Sequence, residues 1–316
     1  MIVSTLPFIL FTAFSLIYYG FPFPNTAYAK AFTGIATYDL IRQGLKYLYV
    51  SLRYDTLTIL VILGAIIITW VQPIKKHLRF LIAGVLMNFA YIVYVGGDFM
   101  QGRFFSYSFL ISMVILANWF PKMRSLRSQI IAYAVIGLYL VFYPHTPINS
   151  PLEYSNRDFH MGITDERGFY FDDTSLYKYI TWDRETQIFP RSANAIEGSE
   201  FRRGDQDVIV GSVIGIYGYF AGTEKIIIDT LALADPFLAR LPVEEDWRIG
   251  HFARELPPGY VESVSSDQNL IVDPQLHEFY EKVRVITQSD DLFSPERLET
   301  IIKMNLGLYD YLLPGE

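Results

Sequence analysis

A carboxylate and a guanidinium lie five positions apart in a glycine-rich stretch of this 316-residue chain. The stretch runs from Tyr94 to Phe105, with two glycines before Asp98 and one before Arg103. Glycine lets the backbone approach a ligand closely, Asp98 can accept a proton or bind sugar hydroxyls, and Arg103 can pair with a phosphate. A turn with an internal ion pair is the alternative interpretation, and the residue types alone leave both open.

A second candidate cluster lies near the start of the last quarter of the chain, where His251 stands between Arg248 and Arg254. Their spacing predicts one helical turn with all three side chains on one face. Such a face can bind an anion. Pairing with the acidic residues at 244–246 is the alternative.

Aromatic side chains follow a predicted strand in the segment 215–222, Gly-Ile-Tyr-Gly-Tyr-Phe-Ala-Gly. The glycine spacing is wrong for a dinucleotide loop and no helix is predicted to follow, so we exclude nucleotide binding. The pattern favours a tight aromatic turn after a strand. Alternatively, Tyr217 and Tyr219 stack on a sugar.

Asp229 and Asp235 bracket a short loop and can bind sugar hydroxyls, hold a divalent cation or cap a turn. Capping is the expectation for Asp235, because a proline follows it. The chain has no cysteine, and its other histidines, at 77, 145, 160 and 277, show no ligand spacing. We therefore expect no metal site and no cofactor.

The charge is distributed unevenly along the chain. Residues 1–143 carry 11 basic and three acidic side chains, whereas the remainder carries 15 basic and 30 acidic ones. An acidic second half argues against a nucleic-acid partner.

Five apolar segments, each near the length that spans hydrocarbon, predict a membrane all-α bundle in residues 1–145. A mixed α/β domain is expected over 146–316. The segments are Ile2–Tyr19, Thr56–Val71, Leu78–Val95, Phe104–Phe120 and Ile130–Tyr143. The short connections hold Lys75, Lys76, Arg79, Lys122, Arg124 and Arg127, which predicts that they are cytoplasmic and that the second half is extracytoplasmic.

Other elements follow from periodicity and capping residues. Residues near 30–54 predict an interfacial helix, with apolar residues at helical spacing between Tyr38 and Leu52. The apolar runs 207–214 and 225–229 predict buried strands. Helices are predicted over Pro274–Thr287 and Ser294–Leu312, the second with a serine N-cap and a first-turn proline.

Several stretches together resemble the membrane arabinofuranosyltransferases, a polyprenyl-phosphate-dependent family of the C-type glycosyltransferase superfamily. They are Pro24–Lys30, Gly96–Arg103, Ile163–Tyr170 and the run Gly211–Tyr260, which contains Leu233-Ala-Asp-Pro-Phe-Leu-Ala-Arg-Leu-Pro242. The resemblance implies an enzyme that moves a sugar, such as arabinofuranose, from a polyprenyl-phosphate donor to a cell-envelope glycan at the outer face of a membrane.

The resemblance also implies roles for particular residues. Asp98 is the expected catalytic residue, and Arg103 and Lys30 are expected to bind the donor phosphate. Substrate-binding roles fall on Asn25, Tyr28, Arg248, His251, Arg254, Tyr217 and Asp229. Membrane lipid and the glycan acceptor are the other expected partners.

The chain departs from the family pattern in two ways. It opens at what resembles the middle of such a protein, which implies that a separately encoded half could supply the usual acidic outer loop. Gln101 also stands where many relatives have histidine. The alternative interpretation is a non-catalytic glycan-binding or scaffolding membrane protein derived from such an enzyme.

Overall fold

The structure, a computed structural model, describes residues 2–31, 33–71, 76–119, 125–144, 146, 149, 151, 153–185, 190–212 and 214–314. It divides into two compact units. Unit 1 combines Met1–Gly34 with Ser192–Glu316, and unit 2 is Ile35–Arg191. These borders differ from the expected division near residue 145, because the first two helices belong to the same unit as residues 192–316.

Helices make up 62% of the structure. In chain order they are α1 (Ile2–Tyr18), α2 (Asn25–Ala31), α3 (Thr37–Tyr54), α4 (Thr56–Val71), α5 (Lys76–Tyr94), α6 (Ser106–Trp119), α7 (Leu126–Phe142), α8 (Glu166–Phe169), α9 (Phe171–Thr174), α10 (Leu176–Ile180), α11 (Ala193–Arg203), α12 (Ile214–Ala221), α13 (Tyr260–Ser266), α14 (Pro274–Gln288) and α15 (Pro295–Asn305). The strands are β1 (Phe159–His160), β2 (Ile163–Thr164), β3 (Val208–Gly211) and β4 (Ile226–Asp229).

The prediction of a transmembrane bundle followed by a mixed α/β domain is wrong. The five apolar segments are helical, but α1, α4, α5, α6 and α7 contain only 14 to 19 residues. At about 1.5 Å per residue, 18 residues extend about 27 Å, whereas a hydrocarbon core is about 30 Å thick. Among the described residues, no single helix combines the length and the apolar composition needed to cross a bilayer. The pair α3 and α4 meets both criteria only when taken together, and it is bent by 104°.

Three of the basic residues on which the predicted topology depends, Lys75, Lys122 and Arg124, lie outside the described residues. The same holds for His145 and for the side chain of His77, two of the histidines without ligand spacing.

The helical core of unit 2 forms because apolar and small residues recur on single faces. In α3 the buried positions are Gln43, Gly44, Tyr47, Val50 and Ser51, which is the spacing of one helical face. Gly44 allows a close crossing with α5, since a Cβ there would lie 2.4 Å from the backbone oxygen of Val93. A helix is present near 30–54, as predicted: it is α3, with the shorter α2 before it. Its interfacial location stays a prediction.

The other helices of unit 2 leave much apolar surface exposed. In α7 no side chain is buried, although most of its residues are apolar. Trp70 at the end of α4 is 78% exposed and Phe142 at the end of α7 is 75% exposed. Large exposed apolar surfaces mark places where proteins contact lipid or another macromolecule.

Unit 1 has its core between its N-terminal helices and its C-terminal helix pair. Phe237, Phe279 and Val283 are buried there with Ala29 of α2. The predicted helix Pro274–Thr287 is confirmed as α14. In the second predicted helix, Ser294 accepts a hydrogen bond from the N–H of Arg297 and caps α15, but that helix ends earlier than predicted, at Asn305.

Strands are few in the described part of unit 1. The two predicted strands are present as β3 and β4, which pair in parallel from Val208 opposite Ile226. The prediction that both are buried is wrong for β3, which ends at Gly211 and has no fully buried residue, whereas Ile228 and Asp229 of β4 are buried. The segment 215–222 is not an aromatic turn, because α12 occupies Ile214–Ala221. Helices therefore dominate where a mixed α/β domain was expected.

Candidate functional site

The turn between α5 and α6 is built from glycines in the left-handed region of φ. Gly96, Gly97 and Gly102 have φ values of 87°, 74° and 75°, which other residues adopt only with strain. Gly97 also lies against α3, since a Cβ there would come within 2.5 Å of the Cβ of Tyr47. Side chains at these positions would therefore change the path of the turn.

Hydrogen bonds fix the turn to its surroundings within unit 2. The N–H of Thr164 in β2 donates to the carbonyl of Phe99 at 2.8 Å, and the N–H of Gln101 donates back to the carbonyl of Thr164 at 2.9 Å. The Tyr47 hydroxyl donates to the Met100 carbonyl at 3.1 Å. Burial raises the pKa of that hydroxyl well above its usual value, so Tyr47 remains a neutral donor.

Asp98 and Arg103 form a two-point ion pair across this turn. Nε and Nη2 of Arg103 donate to Oδ2 and Oδ1 of Asp98, each at 2.6 Å. Asp98 is only 2% exposed, whereas 44% of the Arg103 side chain is exposed. The internal ion pair is therefore present, and it holds a guanidinium whose remaining N–H groups are available to a ligand.

Two aromatic rings restrict the same guanidinium. Its central carbon lies 5.2 Å from the ring centre of Phe99 and 5.6 Å from that of Phe104. Such rings favour the cation and limit its rotamers. The Arg103 guanidinium is thus preorganised by the Asp98 carboxylate on one edge and by the nearby rings of Phe99 and Phe104.

Asp55, which the sequence patterns did not single out, adds a second carboxylate beside the turn. It lies between α3 and α4, and its Oδ2 would be 3.2 Å from a Cβ at Gly102. Its Oδ1 accepts a long hydrogen bond from the N–H of Thr58, at 3.4 Å. Burial raises the pKa of the Asp55 carboxyl, and the negative charge of Asp165 raises it further.

Asp55 forms no ion pair in the described part of the chain. A half-buried carboxylate with a raised pKa and no cationic partner is well suited to accept a proton. The only hint in the sequence is an acid placed at the break between two helical segments, and its closeness to Gly102 depends on the fold.

The predicted substrate residues belong to unit 1, whereas this turn belongs to unit 2. Most of them have hydrogen-bonding or packing partners within unit 1. Asp229 is buried and accepts hydrogen bonds from the N–H groups of Leu231, Leu233 and Ala234. The Asn25 side chain donates to the carbonyl of Ala232 at 2.8 Å. These two residues therefore shape the loop after β4.

Asp235 caps the same loop, as expected. Its Oδ1 accepts from the N–H groups of Phe237 and Leu238, and its Oδ2 accepts from the Tyr260 hydroxyl at 2.6 Å.

The predicted basic face formed by Arg248, His251 and Arg254 is absent. Arg248 and His251 face each other in a short β-bridge, so the segment is not helical. Arg254 is 1% exposed, and its guanidinium donates to the carbonyls of Leu241, Phe252 and Ala29. Burial lowers the pKa of Arg254 to about 10. This arginine closes the end of α2 and is not accessible to a substrate.

The remaining predicted residues are also in unit 1. Tyr28 is half-buried with its ring centre 4.6 Å from the guanidinium of Arg240, and burial raises the pKa of its hydroxyl. The Tyr217 ring packs 6.0 Å from that of Phe201. Lys30 is exposed at the end of α2. The structure thus assigns Lys30 to one unit and Arg103 to the other.

Comparison with known proteins gives no relative: no family model, no curated protein and no solved structure matches this chain. Among the described residues, no group of three or more histidines or acids is arranged to hold a metal ion. The resemblance to arabinofuranosyltransferases remains a prediction from the sequence.

Proposed function

We propose that this protein is a glycosyltransferase, or a portion of one, that takes a sugar from a polyprenyl-phosphate donor and transfers it to a glycan. The observation that supports this proposal most strongly is the orientation of Arg103 by Asp98. A guanidinium that is paired on one edge and exposed on the other is suited to bind a phosphate through two parallel N–H donors.

In the proposed reaction, a hydroxyl oxygen of the acceptor attacks the anomeric carbon of the donor sugar. The bond between that carbon and the phosphate oxygen breaks, and the leaving phosphate keeps the electron pair. Arg103 stabilises the negative charge that develops on the leaving group. Asp55 takes the proton from the attacking hydroxyl, which is a role that its raised pKa supports.

This assignment changes the role predicted for Asp98. Both of its carboxylate oxygens accept hydrogen bonds from Arg103, so its function in the proposed site is to orient that side chain. The role of catalytic base is proposed for Asp55 instead.

A lipid-linked donor fits the apolar helices of the same unit. Exposed side chains on α4 to α7 include Trp70, Met87, Leu126 and Phe142, and such a surface is compatible with acyl or prenyl chains. Action at the outer face of a bacterial inner membrane remains part of the proposal.

A second candidate function is a non-catalytic protein that binds glycan or lipid-linked sugar. The occupied oxygens of Asp98 favour it, because the residue expected to be catalytic is used to hold Arg103. The two candidates share the phosphate-binding turn and differ only in turnover.

The test measures both binding and transfer with the purified 316-residue chain. A synthetic polyprenyl-phosphate sugar carrying a radiolabel is offered with cell-envelope glycan, and the variants are Arg103→Gln, Asp55→Asn and Arg53→Gln. Arg53 is the matched control, because it is an exposed arginine of the same unit that lies 5.9 Å from an aromatic ring centre, that of Tyr54.

A transferase should lose donor binding in Arg103→Gln, lose turnover but keep donor binding in Asp55→Asn, and keep both in Arg53→Gln. Binding without turnover in the unaltered protein would indicate the non-catalytic candidate. Equal donor binding by Arg103→Gln and the unaltered protein would contradict both.

A further inference from the structure

A groove in unit 1 lies where the ends of α11 and α12 meet, and it includes Tyr219 from the aromatic segment 215–222. It has a volume of about 570 Å³ and is lined by Ser199, Arg202, Arg203, Tyr219 and Phe220. The two helices approach closely because Gly198 has no side chain; a Cβ there would lie 2.3 Å from the carbonyl oxygen of Tyr217. This volume is in the usual range for a small-ligand site.

The two arginines of the groove keep most of their hydrogen-bonding capacity. Neither forms an ion pair in the described part of the chain. Arg203 donates from Nε to the carbonyl of Ser199 at 3.1 Å, which leaves its other donors for a ligand. Arg202 runs beside Gly222, where a Cβ would lie 3.4 Å from its Nε.

The negative partial charge at the C-terminal end of α11 offsets only part of the positive charge of Arg202 and Arg203. A helix C-terminus carries roughly half a negative charge, which one nearby cation offsets. The described residues that line the groove include two guanidinium groups and no carboxylate, within an otherwise acidic half of the chain.

Tyr219 gives the groove an aromatic wall. It is 81% exposed, although its ring makes an edge contact with Phe220, with ring centres 5.3 Å apart. A tyrosine ring that is held on one side and open on the other can stack on the C–H face of a sugar, and it loses little side-chain entropy in doing so.

We propose that this groove binds a glycan that carries anionic groups, with the sugar ring on Tyr219 and the anionic group on Arg202 and Arg203. The pairing of guanidinium forks with carboxylate or phosphate supplies the charge recognition. As the acceptor site of a transferase this inference rests on the proposed function, whereas the binding itself does not.

The experiment is equilibrium binding of tetragalacturonate to the full chain, with maltotetraose as the neutral sugar and hexaglutamate as an acidic chain without sugar. The variants are Tyr219→Ala and the double change Arg202→Gln with Arg203→Gln. The matched control is Tyr179→Ala with Arg184→Gln, an exposed arginine and tyrosine 6.0 Å apart in unit 2. Circular dichroism checks that each variant is folded.

We expect tetragalacturonate to bind more tightly than both comparison ligands. Its affinity should fall at least tenfold in each groove variant, stay unchanged in the control pair, and weaken as salt is raised. Binding that is unaffected by the groove variants would overturn the proposal. Equal affinity for hexaglutamate, or equally effective competition by inorganic phosphate, would reduce the site to a general anion site and overturn the glycan assignment.

This result can be separated from the test of the transferase. Loss of tetragalacturonate binding in the groove variants, together with an absence of sugar transfer in the unaltered protein, would retain the groove and remove the proposed function. Sugar transfer by the unaltered protein, together with unchanged tetragalacturonate binding in the groove variants, would retain the proposed function and remove the groove.

Discussion

Asp98 and Arg103 illustrate how one side chain can determine what another is able to do. The buried carboxylate fixes two donors of the guanidinium, so the remaining, exposed part of the Arg103 guanidinium is oriented before any ligand arrives. Preorganised donors of this kind lose little freedom on binding, which is why they bind charge effectively.

Replacing Asp98 by Asn should weaken both stability and donor binding. The change removes the charge of a buried partner and leaves Arg103 free to rotate. Because Arg103 is half-exposed, we expect a loss of about 1 to 3 kcal/mol, below the cost of breaking a fully buried pair. Chemical denaturation and donor titration measure the two effects. Donor affinity equal to that of the unaltered protein would contradict the orienting role.

Replacing Asp55 by Asn should stabilise the protein at neutral pH while stopping sugar transfer. The pKa of Asp55 is raised above its usual 3.8 in the folded state. The stability that this carboxyl contributes is therefore fully present below its unfolded pKa and is lost as pH rises through the folded pKa.

The measurement for Asp55 is the denaturation midpoint as a function of pH. The variant and the unaltered protein should have similar midpoints near pH 3, and the variant should have the higher midpoint at pH 7. A variant that is less stable at pH 7 would show that Asp55 acts mainly as a helix cap.

Some of these residues could be recognised from the sequence alone, and others only from the fold. Asp98 and Arg103 were recognisable because the glycines that shape their turn are their neighbours in sequence. Asp55 comes near Gly102 only through the packing of α3 and α4 with the turn, and no local pattern encodes that distance. The sequence predicts a substrate-binding role for Arg254, because nothing in the sequence indicates that its guanidinium donates hydrogen bonds to buried carbonyls.

At the scale of elements, the turn between α5 and α6 depends on the absence of side chains. Changing Gly97 to Ala introduces a Cβ at positive φ, 2.5 Å from the Cβ of Tyr47. Strain and overpacking together should cost about 2 to 4 kcal/mol. In Gly137→Ala, the control in α7, the new methyl has nothing within 4 Å, so stability should be equal or up to about 1 kcal/mol higher. Equal effects in thermal unfolding would contradict the close contact.

Arg254 should stabilise the packing of α2 against the segments that contain Leu241 and Phe252, and it should not contribute to ligand binding. Arg254→Met would leave the carbonyls of Ala29, Leu241 and Phe252 without these donors, at a cost of about 3 kcal/mol. Urea denaturation measures this loss, and tetragalacturonate affinity in the folded variant should not change. Unchanged stability combined with lost binding would restore the substrate role.

The helices were largely predictable, and the exceptions have physical reasons. Periodic apolar residues located α3 and α14, and a serine followed by proline located the start of α15. The sequence of α12 contains Gly215 and Gly218, which disfavour helix, yet its packing against Gly198 of α11 stabilises one. The predicted membrane spans are wrong because an apolar composition does not ensure sufficient length, and these helices contain only 14 to 19 residues.

At the scale of the whole molecule, the two compact units have separate cores. Regions with their own cores open with their own free energies. Gly97→Ala should therefore increase amide hydrogen exchange in α3, α5 and α6 while leaving α14 and α15 protected. Hydrogen exchange with mass spectrometry measures this difference. Equal loss of protection in both sets of helices would contradict independent cores.

Two further properties concern the whole molecule: the exposed apolar surface of unit 2 and the acidic character of the second half of the chain. The apolar surface is compatible with a donor carrying a prenyl chain. Arg103 is a cation in a unit with much exposed apolar surface, and Arg202 and Arg203 are cations in the acidic half of the chain. Both proposed sites thus rely on a few cations fixed by the fold.

The most direct test of the central claim is a titration of the full chain with a polyprenyl-phosphate sugar, comparing Arg103→Gln with Arg53→Gln. The account predicts at least a tenfold loss of affinity in the first variant and no change in the second, because only Arg103 is oriented by a buried carboxylate. If the two variants bind the donor as tightly as the unaltered protein does, the turn between α5 and α6 is not the phosphate site.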